Sequence, residues 1–156
     1  MVREYGRSPC GERCIDSAPC GHWQTTTLIA GLRWQGVSAP AVLDGPIDGA
    51  SFLAWVEQFL CPALGPGDVV IADNLQSHKV AGVQEAIEAV GATILYLPPY
   101  SPDFNPIEKL FSKVKSLLKK AAERTQEALW QEIDHLLDGI SPDECANYFK
   151  SAGYAS

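Results

Sequence analysis

Two acidic residues of this chain stand where carboxylates commonly do chemistry. The first is Asp73, in "VVIADNLQSHK" (69–79), where it closes a short β-branched run. A carboxylate at the end of a buried strand is costly unless it is paired, hydrogen-bonded or bound to a metal. Strand-end Asp also caps turns, so that reading stands beside the metal one. The second is Glu108, in "PPYSPDFNPIEKL" (98–110). Asn105 suits a helix N-cap, Pro106 the first helical position, and Glu108 the third, a capping box with Asn in place of Ser or Thr. Glu108 then either reaches back to the Asn105 backbone or is aimed, by a rigid Pro-rich loop, at the end of the Asp73 strand. In the second case the two carboxylates share a divalent metal, and hard oxygens of this kind suit Mg²⁺ or Mn²⁺. Asn74 and His78 follow Asp73 closely enough to support it or to touch a phosphate. No Ser/His/Asp or Cys/His arrangement suited to nucleophilic catalysis stands out.

The elements that must position these residues are legible from periodicity. Residues 25–34 and 37–45 read as two strands of a hairpin, with Pro40 marking an irregular or edge position. Residues 48–64 read as an amphipathic helix, with Asp48 or Ser51 as cap. A turn at 65–68 leads to a buried strand at 69–73, then a helix over 77–91 closed by Gly91. A second buried strand follows at 92–97, then the Pro-rich loop and helices near 106–121 and 125–138. Ser141-Pro142-Asp143-Glu144 starts a last helix. Alternating strands and helices imply an α/β fold with a partly parallel sheet, whose sites gather at strand carboxyl ends.

Composition bounds the rest. With 156 residues, 46% hydrophobic and 20% charged, the chain has the make-up of one globular domain. No apolar run approaches the roughly 18–20 residues of a membrane span, and the polar first residues read as no signal peptide, so a cytoplasmic protein is expected. The net charge of −7 argues against a dedicated nucleic-acid module, yet six of the 12 Lys and Arg fall between Lys109 and Arg124. That run is a solvated helix face or a local phosphate-binding stripe. Cys10, Cys14, Cys20 and His22 do not match the familiar zinc spacings; reduced thiols are expected, with Cys61 and Cys145 as small buried residues.

Taken together, the two motifs resemble a known family. A strand ending Asp73-Asn74 with His78 after it, then "LPPYSPDFNPIE" and a helix bearing Lys115, is similar to the DDE superfamily endonuclease domain of mariner-type and bacterial insertion-sequence transposases. The 34 residues between Asp73 and Glu108 match the second-to-third acid spacing of that family. The resemblance covers essentially the whole chain. It implies a ribonuclease-H-like, retroviral-integrase-like mixed sheet flanked by helices. It implies two-metal phosphoryl transfer on DNA, with Mg²⁺ or Mn²⁺ ions about 3.5–4 Å apart. Asp73 and Glu108 would be catalytic metal ligands, with Asn74, His78 and Asn105 in support. Lys113, Lys115 and Lys119 would contact DNA. The implied partners are transposon ends and target DNA, a homo-oligomer or full-length transposase, with no membrane and no small-molecule substrate; the implied location is the bacterial cytoplasm, on the nucleoid when bound.

The family uses three acids, and the first lies on a strand just before the "YGR" region. This chain starts "MVREYGR". The expectation is therefore one partial catalytic domain: an irregular lead-in at 1–24, the sheet and motifs at 25–121, and closing helices at 122–156. Its first strand and acid are missing, as is the family's helix-turn-helix. Such a chain would be inactive alone. An alternative is a non-catalytic fragment that associates with full-length transposase or DNA and regulates transposition. A third reading is an unrelated nuclease in which Asp44 completes the site; two intervening strands would put Asp44 roughly 14 Å from Asp73.

Overall fold

The computed structural model describes residues 10, 25–123 and 125–154. Cys14, Cys20 and His22 of the cysteine-rich stretch lie outside the described residues. Four strands and six α-helices follow the order β1 (Thr26–Arg33), β2 (Gly36–Asp44), α1 (Gly49–Trp55), α2 (Cys61–Ala63), β3 (Val69–Ala72), α3 (Val83–Ala89), β4 (Thr93–Tyr96), α4 (Pro106–Ala121), α5 (Gln126–Asp138) and α6 (Pro142–Ser151).

β1 and β2 form an antiparallel hairpin. Ile29 pairs with Ala41 and Gly31 with Ser38, so Ala39 and Pro40 together oppose Ala30 in a bulge. Ala39 takes a positive φ of 50° there, and its carbonyl accepts from Trp55 Nε1 at 2.9 Å. Pro40 thus falls at the irregular position its ring demands. β3 and β4 pair in parallel, Val69 with Thr93 through Ala72 with Tyr96. The described residues therefore form one antiparallel and one parallel pair, in two sheets rather than one continuous one.

The helices cover these sheets from two sides. Phe52, Trp55, Val56, Val83, Ile87 and Ile94 form one core cluster, against which Ile29 and Ala41 of the hairpin pack. Leu110, Val114, Leu118, Ile133 and Leu137 form a second, which takes Leu28, Leu32, Val37 and Val42. Side chains along a strand alternate between faces, and the hairpin uses both of them. Cys61 and Cys145 are buried as small apolar residues. Trp55 is buried too, whereas Trp34 is 40% exposed and stacks on Phe149.

Asp48 caps α1, accepting from Ser51 N at 2.8 Å. The helix runs on through a π-helical stretch, Val56–Leu60, into α2. Pro62 has no N–H to return to Gln58 and its ring crowds that carbonyl, so the helix widens just ahead of it. The helix expected over 77–91 is instead a 3₁₀ turn at Gln76–Lys79 followed by α3. Gly82 between them has φ +97°, which no continuous right-handed helix admits. Thr125 and Ser141 cap α5 and α6, accepting from Ala128 N and Glu144 N.

Candidate active site

Asp73 follows directly on the carboxyl end of β3. Its Oδ1 lies 2.5 Å from His78 Nδ1, and among the described residues neither of these buried atoms makes a hydrogen bond. His78 is held on two further sides. Its ring stacks on Phe52 at 4.1 Å between centroids, and its carbonyl accepts from Tyr96 Oη at 2.9 Å. Burial pushes the Tyr96 hydroxyl above its ordinary pKa, so it stays a donor near neutrality. The 3₁₀ turn thus pins the imidazole against one oxygen of Asp73, and among the described residues the other makes no contact of that kind.

Glu108 stands in the first turn of α4 and is exposed. The expected capping box does not form: the Asn105 side chain makes no cap hydrogen bond. The Asn105 N–H is taken instead by Pro102 O at 3.0 Å, so nothing is left for Glu108 to reach back to. The prolines that shape the turn therefore release the Glu108 carboxylate from the role that most glutamates at N3 would have. Asn105 is 8% exposed, a buried polar residue at the helix start.

One cavity of about 670 Å³ brings four of these residues together: Asp73, His78, Asn105 and Glu108 all line it. Asn74, half-buried, does not. Asp44 does not either; it is exposed at the end of β2, paired with Thr26. The donor set suits a hard divalent cation in part, through two carboxylates of which one is unengaged. Among the described residues no three His, Cys, Asp or Glu side chains converge as a complete metal cage.

The lysines of α4 divide into two stripes. Lys113 Nζ is 2.6 Å from Glu144 Oε1 on α6. Glu144 also accepts from Tyr148 Oη; the Lys113 bond, more than the Tyr148 one, holds its carboxyl below the usual range. At about 100° per residue, Lys115 and Lys119 fall within about 20° of the direction of Glu108, whereas Lys113 is turned well away. Lys115 and Lys119 are exposed. Among the described residues neither joins an ion pair.

Sequence reasoning missed the contact that closes the far end of the cavity. Arg33 Nη2 donates to Asp68 Oδ2 at 2.5 Å and to Ala63 O at 2.9 Å. That bond, with one from Gly65 N, keeps the Asp68 carboxyl below its ordinary pKa. A charged residue ending an apolar strand was the only signal available, and it names no partner.

The family model described as DDE superfamily endonuclease matches residues 1–130. The chain belongs to that family. Its DDE superfamily fold is shared with solved structures of the Mos1 transposase. The strand transfer complex of Mos1 aligns with a TM-score of 0.75 at 19% identity, over 97% of this chain and 46% of that one. The Mos1 mariner paired end complex with Mn aligns with a TM-score of 0.70, also at 19% identity, over 97% and 47%. The isolated catalytic domain of Mos1 mariner transposase aligns at 0.61 and 17%, over 83% and 74%. This DDE superfamily chain therefore spans about half the length of the Mos1 chains in those complexes, and its α/β architecture is ribonuclease-H-like. No curated protein matches it. Among the described residues no helix is long and apolar enough to cross a membrane.

Proposed function

We propose that the chain carries part of a transposase catalytic core, whose complete form cuts DNA at transposon ends and joins it to a target. Asp73 and Glu108 would hold Mg²⁺ or Mn²⁺. The observation that carries this reading is that both carboxylates line one cavity while Glu108 is released from capping. A bound divalent cation would supply Lewis acidity and a water of lowered pKa. His78 positions Asp73 through its Oδ1 contact, and Asn105 starts the helix that presents Glu108. Lys115 and Lys119, on the Glu108 side of α4, would bind backbone phosphates, with Lys113 held by Glu144. Mos1 structures solved with Mn and with Mg support the choice of metals, and the Mos1 paired-end complex with a left transposon end supports DNA as partner.

The chain alone would cut DNA weakly or not at all, because Asp73 and Glu108, the pair offered among the described residues, are too few to fix two metals. The test is incubation of the purified protein with Mn²⁺ and transposon-end DNA. No strand cleavage is expected. Robust cleavage lost in Asp73→Ala overturns the inactivity; cleavage surviving both Asp73→Ala and Glu108→Ala overturns the site.

A further inference from the structure

We propose that Tyr154 is a positioning residue for Glu108, and that the turn closing α6 clamps the loop from which α4 starts. The Tyr154 hydroxyl donates to Phe104 O at 2.8 Å, across 50 residues of chain. Phe104 stands just ahead of Asn105, the residue that opens α4, and one turn ahead of Glu108. Of the residues that follow it, Pro106 has no N–H to offer its carbonyl, and the Glu108 N–H goes to Asn105 O at 3.2 Å. Tyr154 supplies a donor instead. Burial pushes its hydroxyl above the ordinary pKa, so it stays protonated near neutrality. Tyr154 and Glu108 line the same cavity.

Local chemistry holds Tyr154 in place for this contact. The C-cap of α6 is Ala152, and Gly153 after it takes a φ of +87°. The Gly153 N–H goes to Lys150 O at 3.1 Å and the Tyr154 N–H to Phe149 O at 3.0 Å. This is the paired pattern of a Schellman motif, with glycine at its left-handed position. The apolar contact that accompanies such motifs is present as well: the Phe149 and Tyr154 rings meet edge to face at 6.1 Å. Phe149 stacks on Trp34, in the turn between β1 and β2, at 4.6 Å. The hydroxyl is therefore anchored both to α6 and to the hairpin, and it reaches the loop from a fixed base.

The start of α4 needs such a hold. Leu110, Val114 and Leu118 lock the body of the helix into the second core cluster, and Lys113 ties it to Glu144 of α6. Glu108 and Lys109 precede that body and are exposed, and the Asn105 side chain makes no cap hydrogen bond. The clamp adds a second attachment to α6, ahead of the helix. Two attachments fix the direction of an axis, whereas one leaves a pivot. Phe104 and Glu108 lie within the residues that the family model matches and Tyr154 lies beyond them, so the clamp joins the motif to a part of the chain outside that match. The positioning role rests on the metal reading of Glu108; the hydrogen bond itself does not.

The experiment compares the full chain with Tyr154→Phe, which keeps the ring contact and removes the hydroxyl. Without metal, the Asn105 and Glu108 amides should exchange about three- to tenfold faster, the scale of one lost hydrogen bond. The amides of α5 and the melting temperature should not change. With Mn²⁺, the concentration that half-broadens the amides near Asp73 and Glu108 should rise about threefold. Unchanged exchange at Asn105 and Glu108 overturns the clamp. Faster exchange throughout α4, α5 and α6 with a lower melting temperature makes Tyr154 a packing residue and overturns the proposal. Local loosening with an unchanged Mn²⁺ midpoint overturns the positioning role. Ser151→Ala removes a hydroxyl bond to Tyr148 O in the same turn and should move neither readout; equal shifts there also overturn the proposal. Failure of the metal reading shows separately, as a parent Mn²⁺ midpoint that Glu108→Ala leaves unchanged, and the metal-free exchange then still decides the clamp.

Discussion

The two sheets are built from similar residues but are covered differently. The hairpin β1–β2 sends Ile29 and Ala41 into one core cluster and Leu28, Leu32, Val37 and Val42 into the other. The parallel pair β3–β4 buries Val70, Ala72, Ile94 and Tyr96 on one side only; Val69 and Leu95 on the other are 55% exposed. The hairpin is thus a sandwiched layer and the parallel pair a half-covered one. Asp73 is mounted on the half-covered sheet, and Glu108 on the helix that packs over the hairpin. The relation between the two carboxylates depends on how the two sheets are joined, and the described residues join their facing edges only through the Arg33–Asp68 pair and surrounding helices.

The largest effect should come from the layer over the hairpin. Leu110 is fully buried, and Leu110→Ala should cost about 2–5 kcal/mol in denaturant unfolding. Hydrogen exchange in that variant should speed up in β1–β2 more than in β3–β4. Equal acceleration in both sheets would break the contrast between them. Next comes the junction of α1 with the 3₁₀ turn. A Cβ at Gly49 would sit 2.3 Å from Val80 Cγ1, so Gly49→Ala should cost about 1–3 kcal/mol by overpacking. The shift should register at His78 and Asp73 amide resonances before those of the hairpin.

A smaller effect is expected at the site itself. His78→Ala removes the group that fixes Asp73 Oδ1, and Mn²⁺ affinity measured by calorimetry should fall about tenfold with little change in melting temperature. A large loss of stability with unchanged affinity would make His78 a core residue and nothing more. The smallest effect is electrostatic. Glu144 has a depressed pKa in the fold because Lys113 and Tyr148 favour its charged form. Its contribution is present above its unfolded pKa of about 4.3 and is lost as pH falls through the depressed folded value. Lys113 is 40% exposed, so the pair is worth under about 1 kcal/mol. Glu144→Gln should lower the melting temperature slightly at pH 7, converge with the parent at low pH, and so flatten the acid limb of the profile.

Much of this was legible in the sequence because local rules govern it. Asp48 and Ser141 act as caps where helix-start chemistry puts them, and Pro40 marks the bulge. The helix over 77–91 was misread because its apolar spacing continues through Gly82, while the backbone there turns left-handed. The capping box at Asn105 failed for a similar reason: the 3₁₀ turn at Pro102–Phe104 gives the Asn105 N–H a carbonyl before Glu108 can offer an oxygen. The metal reading of Asp73 and Glu108 rested on motif resemblance rather than on either stretch alone. What no local rule carries is the meeting of distant segments. Arg33 with Asp68, Phe52 with His78 and Lys113 with Glu144 are each tertiary facts, and they decide which end of the cavity is closed and which lysines remain available.

The most direct measurement is Mn²⁺ titration followed by paramagnetic broadening of backbone amide resonances. If Asp73 and Glu108 form one metal-binding pair, amides near both broaden together at the same Mn²⁺ concentration, and Asp73→Ala or Glu108→Ala removes both effects. Broadening at one carboxylate that persists when the other is replaced would contradict the account.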